Sequence, residues 1–374
     1  MEPGGYPVRI FNSRRITRMN DSISFLMDLI RTRPVTQDIE AVNRAAAKVR
    51  VRLESAGIRC VMEKIGGRDT LYASLVPGKT PDYLFNAHLD VVAARPEQFE
   101  PVLSPDGVLA GRGACDCLGP ASAIVDALLA LKAKGGASCG AIFTTDEETG
   151  GQTTLAMVER GYHAKKAIVI VDGEYASVCI AQKGILTVKL TRVSKEGGGH
   201  ASEPWAMENP IDTLLDAYHE LRSEWKNPTA SEPWGDSMAA TVISGGSVHN
   251  QIPESASMIL NFRLTEETGE ARVLERLQRL PGIRVEALTS CPPVVFSEDE
   301  PVFLKLKEIY GKYLPGRDIP FVRMNGATDA RHFHSLNVPL AILGVDGEGL
   351  HGAKETLRTD SLRVISSVLT DFCS

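Results

Sequence analysis

The segment AIFTTDEETGGQTTLAMVERGYHAKKAIVIVDGE, residues 141–174, decides the fold class of this chain. It begins with a short apolar run that ends in acidic residues and continues with a stretch of helical periodicity near 152–160. It closes with a second apolar run, AIVIVDGE at 167–174. Short apolar runs that alternate with helical segments are typical of parallel strands joined by crossover helices. The segment therefore predicts a strand–helix–strand unit of an α/β domain.

Further strands and helices of the same kind flank this segment on both sides. Short apolar runs predict two more strands, YLFNAHLD at 83–90 and PLAILGV at 339–345. Apolar positions at three- and four-residue spacing predict helices, which lie at 22–33, 37–56, 120–135 and 360–372. The chain is therefore expected to contain an α/β domain with a mostly parallel central sheet flanked by helices.

A different order of elements interrupts this alternation between residues 184 and 293. Strand, helix, two strands, helix and strand follow one another there, which is the βαββαβ order of a small ferredoxin-like sandwich. We therefore predict an inserted α+β domain at 184–293 and a larger domain built from 1–183 and 294–374. Two domains also suit a length of 374 residues, which exceeds what one core usually supports.

Composition and charge exclude several classes of protein. The 41 basic and 47 acidic residues give a formal net charge of −6, and no Lys/Arg run could follow a nucleic-acid backbone. No apolar stretch approaches the roughly 18 residues of a membrane span, and segment 1–20 lacks the apolar core of a signal peptide. The seven cysteines are odd in number and mostly isolated, as is typical of reduced thiols. These features predict a cytoplasmic protein without nucleic-acid or membrane partners.

Acidic residues and histidines collect where the predicted parallel strands end. In open α/β sheets the ligand crevice lies beyond these carboxyl ends. One such residue alone usually has a structural role, as a hydrogen-bonded histidine or a helix cap, but here several strand ends carry them. In HLD, alternation places His88 and Asp90 on one face, so Asp90 is expected to orient the imidazole. The residues are His88, Asp90, Asp146, Glu147, Glu148, Asp172, Glu174 and His351.

This group of side chains predicts a metal site. Carboxylates a few ångströms apart raise one another's pKa, so they stay ionised in a crevice only if a cation compensates them. Imidazole and carboxylate ligands suit zinc or a similar transition ion better than calcium. If five of these side chains are ligands, two ions that share a bridging carboxylate are the expected arrangement.

The glycine-rich stretch GRGACDCLG at 111–119 raises a choice between thiol and carboxylate ligands. In an extended segment, residues two apart face the same way, so Cys115 and Cys117 are expected to point away from the face of Asp116. A cysteine-based zinc site would also need a second close pair of ligands, and the other cysteines stand alone. Asp116 is therefore the expected ligand.

Short motifs in a fixed order resemble the M20 family of dinuclear zinc peptidases and deacylases. They are HLD (88–90), GRGACD (111–116), TTDEETGG (144–151), GGGHAS (197–202), HNQIP (249–253), NGATDAR (325–331) and HGAKE (351–355). The resemblance covers most of the chain and implies a zinc-peptidase-like catalytic domain with the inserted domain as a lid and dimerisation domain. Family members include acetylornithine deacetylase, succinyl-diaminopimelate desuccinylase, glutamate carboxypeptidase and several di- and tripeptidases.

Carried over residue by residue, the resemblance implies a ligand set for two metal ions and the catalytic residues beside it. Asp116 would bridge both ions. Glu147 would be the general base, which takes a proton from an acidified water and returns it to the departing amine. Asp90 completes the catalytic set. The implied metal ligands are His88, Asp116, Glu148, Asp172 and His351.

Four further residues are implied to bind the substrate. His200 resembles the lid histidine that, in dimeric members, reaches the partner's active site and supports the oxyanion, and Asn250 matches the asparagine of the lid motif. Arg331 resembles the arginine that binds a substrate carboxylate, with Arg263 as a second candidate. These roles imply a homodimer formed through the lid domain.

Some positions depart from the family pattern. Leu118 stands where the family usually carries lysine, and Asn261 stands where aspartate is common. Asp172 stands where deacetylase-like members carry glutamate, and aspartate there resembles the aminopeptidase and dipeptidase branch. Glu174 is an alternative for this ligand, so the assignment stays open.

The leading hypothesis is metal-dependent hydrolysis of an amide or peptide bond in a small N-acyl amino acid or short peptide with a free carboxylate. The expected cofactors are two divalent ions per chain, zinc in the first place, with cobalt or manganese as alternatives. A dipeptidase or aminopeptidase of the same family is one alternative function, and a non-catalytic binding protein of the same fold is another. A third makes Cys115 the nucleophile of an acyl transfer, which its expected direction away from the crevice disfavours.

Overall fold

The computed structural model describes residues 13–374, with side chains from residue 21 onward. The prediction about a signal peptide, made on segment 1–20, therefore lies largely outside the described residues. These residues divide into two compact units. The first unit comprises the described residues up to Cys179, Glu298–Phe321 and Ser335–Ser374, and the second comprises Ile180–Ser297 and Val322–His334.

The second unit includes a segment, residues 322–334, that was expected in the larger domain. Hydrogen bonds within the unit account for this difference. The Lys183 backbone N–H donates to the Met324 carbonyl at 3.2 Å. The Gln182 side-chain oxygen accepts from both the backbone N–H and the hydroxyl of Thr328, at 3.0 and 2.9 Å. Contacts between segments far apart in the chain leave no local pattern in the sequence, so the expectation was wrong for this segment.

A mixed sheet forms the centre of the first unit. In spatial order its strands are Arg59–Ile65, Arg68–Ser74, Cys139–Thr144, Tyr83–His88, Ala167–Val171 and Leu340–Leu343. The last four run parallel to one another, as the alternation of strands and helices predicted. The first strand pairs antiparallel with the second, and the second pairs antiparallel with the third. The sheet is therefore mixed, with the parallel strands grouped together. Val178–Gln182 adds a further antiparallel pairing, between Cys179 and Ile342.

Helices flank this sheet, at Ser13–Ile30, Ile39–Ser55, Leu118–Ala133, Gln152–Glu159, Pro301–Tyr313 and Thr359–Phe372. The helix Leu118–Ala133 packs against Tyr83–His88 and against two other helices, Ser13–Ile30 and Thr359–Phe372. It is consequently apolar nearly all round, as expected for a helix with neighbours on several sides. Within the described residues, no helix is long and apolar enough to cross a membrane.

The helix Pro301–Tyr313 had not been predicted. Its buried residues Phe303, Leu306, Ile309 and Tyr310 follow the three- and four-residue spacing of an amphipathic helix, with a proline at the first position. The signal was therefore present in the sequence.

A small antiparallel sheet brings two loops of the first unit side by side. Its strands are Gly347–Glu348, Thr356–Arg358, Val108–Ala110 and Val102–Leu103, in spatial order. Ala110 pairs with Thr356, so the chain that leaves Ala110 runs next to the chain that enters Thr356. The motifs GRGACD and HGAKE lie in these two adjacent loops.

The second unit contains an antiparallel sheet with the strand order Ser237–Gly245, Ser255–Leu264, Gly184–Val193 and Arg284–Cys291. Helices at Pro210–Glu224 and Glu270–Gln278 lie in the two crossover connections, which is the arrangement of a ferredoxin-like sandwich. Alternate residues of the inner strands are buried, because successive side chains of a strand face opposite sides of the sheet. Shorter elements are Gly199–His200, Gln251–Ile252, Val294–Val295, Phe321–Met324 and Ala330–Phe333.

Candidate metal centre

Strand ends and loops of the first unit bring the candidate metal ligands together. His88 ends one parallel strand, Asp172 directly follows the next, and Glu148 lies in a turn after a third. The carboxyl ends of parallel strands meet at one edge of a sheet. Asp116 and His351 lie in the two adjacent loops described above.

The Asp116 carboxylate lies between two histidines. Its Oδ1 is 3.0 Å from His88 Nε2, and its Oδ2 is 3.0 Å from His351 Nε2. Each carboxylate oxygen thus faces a different imidazole. This is the geometry of a ligand that two ions can share.

Glu148 completes a group of side chains that fits a cation. Its Oε2 is 3.1 Å from His351 Nε2, whereas its Oε1 is buried and has no hydrogen-bond partner among the described residues. An unpaired oxygen of a buried carboxylate is costly in free energy, and a cation would satisfy it. Ligand atoms of His88, Asp116 and Glu148 lie within 4.8 Å of one another. The donor set and the unpaired oxygen therefore suit a divalent metal ion.

The charged forms of these side chains depend on one another. Although burial opposes ionisation of Asp116, hydrogen bonds from His351 and His88 hold the pKa of its carboxyl well below the usual range. The hydrogen bond to Asp116 raises the pKa of His351 to about 9 against the effect of burial, with Glu148 adding to the rise. Burial raises the pKa of Glu148. The carboxylates therefore favour a positive charge at this position, which protonated histidines or a bound cation can supply.

His351 adopts an unusual backbone conformation. Its φ of 59° is in the left-handed region, which is uncommon for a residue with a Cβ atom. Residues held in such conformations concentrate at functional sites, where the surrounding structure compensates for the strain.

The Asp90 carboxylate connects His88 to the acidic turn. It accepts hydrogen bonds from the Glu147 and Glu148 backbone N–H groups at 3.1 and 3.4 Å, and from the Thr36 hydroxyl at 2.8 Å. His88 Nδ1 donates to the Asp90 backbone carbonyl at 2.8 Å, while the Asp90 carboxylate is 3.4 Å away. Asp90 therefore contacts the imidazole chiefly through its backbone. With Nδ1 donating, Nε2 is the nitrogen left for a metal ion.

Two acidic residues could serve as the ligand that follows the strand Ala167–Val171. Asp172 has a carboxylate oxygen within 4.8 Å of a ring nitrogen of His88. Glu174 is exposed and belongs to neither group of potential metal ligands found among residues 13–374. This arrangement favours Asp172 over Glu174 as the candidate metal ligand. Glu147, half-buried in the turn Glu147–Thr149, lies next to the candidate ligand Glu148.

The loop 111–117 corrects one expectation. It forms turns rather than an extended segment, so residues two apart do not share a face. The expectation that Cys117 points away from the site is therefore wrong: its Sγ lies within 4.8 Å of a ring nitrogen of His88 and a carboxylate oxygen of Asp172. Leu118, at the position where lysine was expected, begins a helix and is fully buried.

The thiol of Cys115 contacts the carboxylate of Glu355. Its Sγ is 3.5 Å from Glu355 Oε1, and burial together with the negative charge of Glu355 raises the pKa of the thiol. A nucleophilic cysteine needs the opposite shift, because the thiolate is the reactive form. The surroundings of Cys115 therefore disfavour the acyl-transfer hypothesis.

Arg112 and Glu355 form a buried ion pair that the sequence had not singled out. Arg112 Nη1 donates to Glu355 Oε2 at 2.7 Å, and both side chains are almost fully buried. The same carboxylate accepts from the backbone N–H groups of Gly113, Cys115 and Asp116, at 2.9, 2.9 and 3.1 Å. The only hint in the sequence was the position of Glu355 in HGAKE, four residues after His351.

In the second unit, His200 and Asn250 come together on short paired segments. His200 pairs with Gln251, and the backbone N–H of Ala201 donates to the Asn250 carbonyl at 2.9 Å. Both side chains are exposed, and His200 Nδ1 contacts the Ser202 hydroxyl at 2.7 Å. The segment presents an exposed imidazole next to an exposed amide.

The two candidate carboxylate-binding arginines interact electrostatically within this unit. Burial lowers the pKa of Arg263, and the positive charge of Arg331 lowers it further. Arg263 Nε donates to Asn261 Oδ1 at 3.2 Å, so Asn261 holds the guanidinium at the position where an aspartate was expected. Two adjacent cations repel each other and would both gain from a bound anion.

Comparison with known proteins places these residues in a family. Residues 84–374 match the family described as "Peptidase family M20/M25/M40". The curated succinyl-diaminopimelate desuccinylase of Pseudomonas fluorescens is 26% identical over 374 residues, which cover 94% of this chain and 96% of that protein.

Solved structures show the same fold. An M20 family metallo-carboxypeptidase from Sulfolobus solfataricus superposes with a TM-score of 0.78 at 17% identity, covering 94% of this chain and 98% of the other. An aminopeptidase from Bacillus cereus has a TM-score of 0.77 at 18% identity, covering 95% and 98%. A dinuclear metal-binding peptidase of the M20 family from Bacillus subtilis has a TM-score of 0.69 at 15% identity, covering 96% and 98%. Because the family match spans most of the chain, this protein belongs to the peptidase family M20/M25/M40 and is a hydrolase of that family.

Proposed function

We propose that this chain hydrolyses an amide bond in a small N-acyl amino acid or short peptide that carries a free carboxylate. Two divalent ions would take part, one held by His88, Asp116 and Asp172 and the other by Asp116, Glu148 and His351. The observation that carries the proposal is the position of Asp116, with one carboxylate oxygen toward each histidine at 3.0 Å.

The two ions, when bound, supply an acidified water and a polarised carbonyl. Side chains of the protein then have to transfer one proton and bind the substrate. Glu147 is the proposed general base, which takes the proton from the attacking water and delivers it to the departing amine. Asp90 contacts both the proposed general base and a proposed metal ligand. Its carboxylate accepts from the Glu147 backbone N–H, and its backbone carbonyl accepts from His88 Nδ1. It is a positioning residue in this mechanism.

Residues of the second unit are proposed to bind the substrate. Arg331, with Arg263 beside it, would bind the free carboxylate, because a planar guanidinium pairs with a carboxylate through two parallel hydrogen bonds. His200 would support the developing oxyanion in the site of a partner subunit, with Asn250 next to it. The exposure of His200 and Asn250 is compatible with this role.

The homodimer that His200 requires is proposed to form along the strand Ser237–Gly245. This strand is an edge of the four-stranded sheet, and residues 239–245 are exposed. Val242 and Ile243 expose 49% and 55% of their surface. An exposed apolar edge strand offers unpaired backbone groups to another strand, and a second copy of this chain would cover them.

Zinc is the proposed metal. Cobalt and manganese are alternatives, because two imidazoles and three carboxylates suit all three ions. The cytoplasmic location remains a prediction, and its support is that all seven cysteines are free.

A peptidase of the aminopeptidase or dipeptidase branch is the second candidate function. The observation that favours it is the position of Asp172 beside His88. The two candidates differ in the leaving group and acyl part of the substrate, and not in the residues proposed to act.

The test is a metal analysis combined with a substrate panel. Zinc- and cobalt-loaded protein is assayed against N-acetyl and N-succinyl amino acids and dipeptides, and metal per chain is measured by mass spectrometry. We expect two ions per chain, turnover of at least one class and loss of turnover with a chelator. Replacement Asp116→Asn should lower the metal content below two ions. Metal-replete protein that is silent on the whole panel would favour the binding-protein hypothesis instead.

A further inference from the structure

The thiol of Cys117 lies inside the candidate metal centre. Its Sγ, a ring nitrogen of His88 and a carboxylate oxygen of Asp172 all lie within 4.8 Å of one another. Cys117 is fully buried and His88 is almost fully buried, so the sulfur does not face solvent. No role had been assigned to this thiol, because an extended backbone would have turned it to the other side.

The spacing of these atoms suits one common ion. Zinc binds sulfur at about 2.3 Å and nitrogen or oxygen at about 2.0 to 2.2 Å, so ligand atoms of one tetrahedral ion lie about 3 to 4 Å apart. Small side-chain adjustments from separations of up to 4.8 Å would reach this spacing. Asp116, whose Oδ1 is 3.0 Å from His88 Nε2, would supply the fourth donor atom.

The alternative is that Cys117 only fills space. Its Sγ–H donates to the Val171 carbonyl at 3.0 Å, and a buried cysteine often behaves as a small apolar residue. The neighbours of this sulfur, however, include the imidazole of His88 and the carboxylate of Asp172, and the negative charge of Asp116 also acts on the thiol. Such surroundings suit a metal ligand better than an apolar filler.

We propose that Cys117 is a sulfur ligand of the ion held by His88 and Asp172. The inference rests on the proposed metal centre and specifies the chemistry of one of its two sites. When the ion binds, the S–H proton leaves to solvent and the thiolate takes its place in the coordination sphere. A donor set of nitrogen, oxygen and sulfur prefers thiophilic ions such as zinc or cadmium to manganese.

Cobalt substitution tests this ligand directly. Cobalt bound to a thiolate absorbs in the near ultraviolet through sulfur-to-metal charge transfer, whereas cobalt bound only to nitrogen and oxygen lacks that band. Metal-free full-length protein is titrated with cobalt alone, and bound ions are counted by equilibrium dialysis. The same titration is made with Cys117→Ser, which keeps a hydrogen-bond donor for the Val171 carbonyl. Cys115→Ser is the matched control, since Cys115 is also buried but contacts Glu355.

We expect the charge-transfer band in the unmodified protein and in Cys115→Ser, and its loss in Cys117→Ser. Cys117→Ala is measured in parallel and should also lack the band. The second variant keeps the test available if one of the two folds poorly. Binding of two cobalt ions without the band, or a band that persists in both Cys117 variants, would overturn the thiolate ligand and leave the metal centre standing. Absence of any cobalt binding would overturn the metal centre and, with it, this inference.

Discussion

Glu355 accepts a hydrogen bond from Arg112 at 2.7 Å and, through the same carboxylate, from the backbone N–H groups that lead to Asp116. Arg112 in turn donates to the Gly352 carbonyl at 2.8 Å, next to His351. One buried ion pair therefore holds the loop of Asp116 and the loop of His351 together. Because these loops carry ligands that face each other, the pair governs the distance between them.

Replacement Glu355→Gln should destabilise the protein and loosen the metal centre. It leaves the Arg112 guanidinium buried without its partner, and removal of one member of a buried ion pair costs about 3 to 5 kcal/mol. Loss of support behind metal ligands typically weakens metal binding by about 10- to 100-fold. Urea unfolding of the metal-free protein and zinc titration of the folded protein measure the two effects. Glu97→Gln, at an exposed position of the first unit, is the control and should unfold like the unmodified protein. Equal unfolding midpoints for both variants would contradict the structural role of Glu355.

Replacement Glu147→Gln should abolish most turnover without removing metal. The amide has the shape of the carboxylate but cannot take up a proton, and general acid–base catalysis contributes about 10²- to 10⁴-fold to rate. The measurement is kcat on the best substrate of the panel, with metal content per chain determined on the same sample. Unchanged kcat at full metal occupancy would remove Glu147 from the mechanism.

The ligand that follows the strand Ala167–Val171 can be identified from a pair of matched variants. Asp172→Asn should lower the bound metal from two ions to one, because the amide is a poorer ligand beside His88 and Cys117. Glu174→Gln, two residues further along and exposed, should keep both ions. Metal per chain after gel filtration measures the difference. The opposite pattern would assign the ligand to Glu174.

Replacement Arg331→Ala should act mainly on substrates with a free carboxylate. A hydrogen bond to a charged group is worth about 1.5 to 3 kcal/mol, so kcat/KM should fall about 10- to 150-fold. For a substrate in which the carboxylate is replaced by a carboxamide, the same replacement should lower kcat/KM much less. Arg323→Ala, at an exposed arginine of the same unit, is the control. An equal loss on both substrates would show that Arg331 supports the fold rather than the carboxylate.

Replacement Ile243→Asp should convert a dimer into a monomer. A charge on the exposed strand Ser237–Gly245 would have to be buried against a second copy, whereas in the monomer it stays in water. Light scattering at assay concentration gives the mass in solution. Val51→Asp introduces the same charge at a residue that is 65% exposed in the first unit, and it should leave the mass unchanged. A monomeric unmodified protein would remove the partner site that His200 is proposed to reach.

The amino-acid sequence by itself indicated the strands and helices around the candidate site and the edge of the sheet at which function was expected, although the helix Pro301–Tyr313 was missed. The parallel strands around His88 and Asp172 were predictable because a buried strand needs a continuous apolar run, and the helices because an amphipathic face needs a 3.6-residue period. The second unit was visible because its order of elements breaks the alternation of the rest. Resemblance of short motifs then indicated the candidate ligands.

Only the tertiary structure decided how these side chains meet. Asp116 lies between His88 and His351 because loops more than two hundred residues apart in the chain are joined by Arg112 and Glu355. No local period encodes such a contact. The thiol of Cys117 turned toward the site because the loop 111–117 forms turns, and the period-two argument holds only for extended backbone. Local patterns thus specify secondary structure, while the direction of a loop side chain depends on the hydrogen bonds that distant residues make with its backbone.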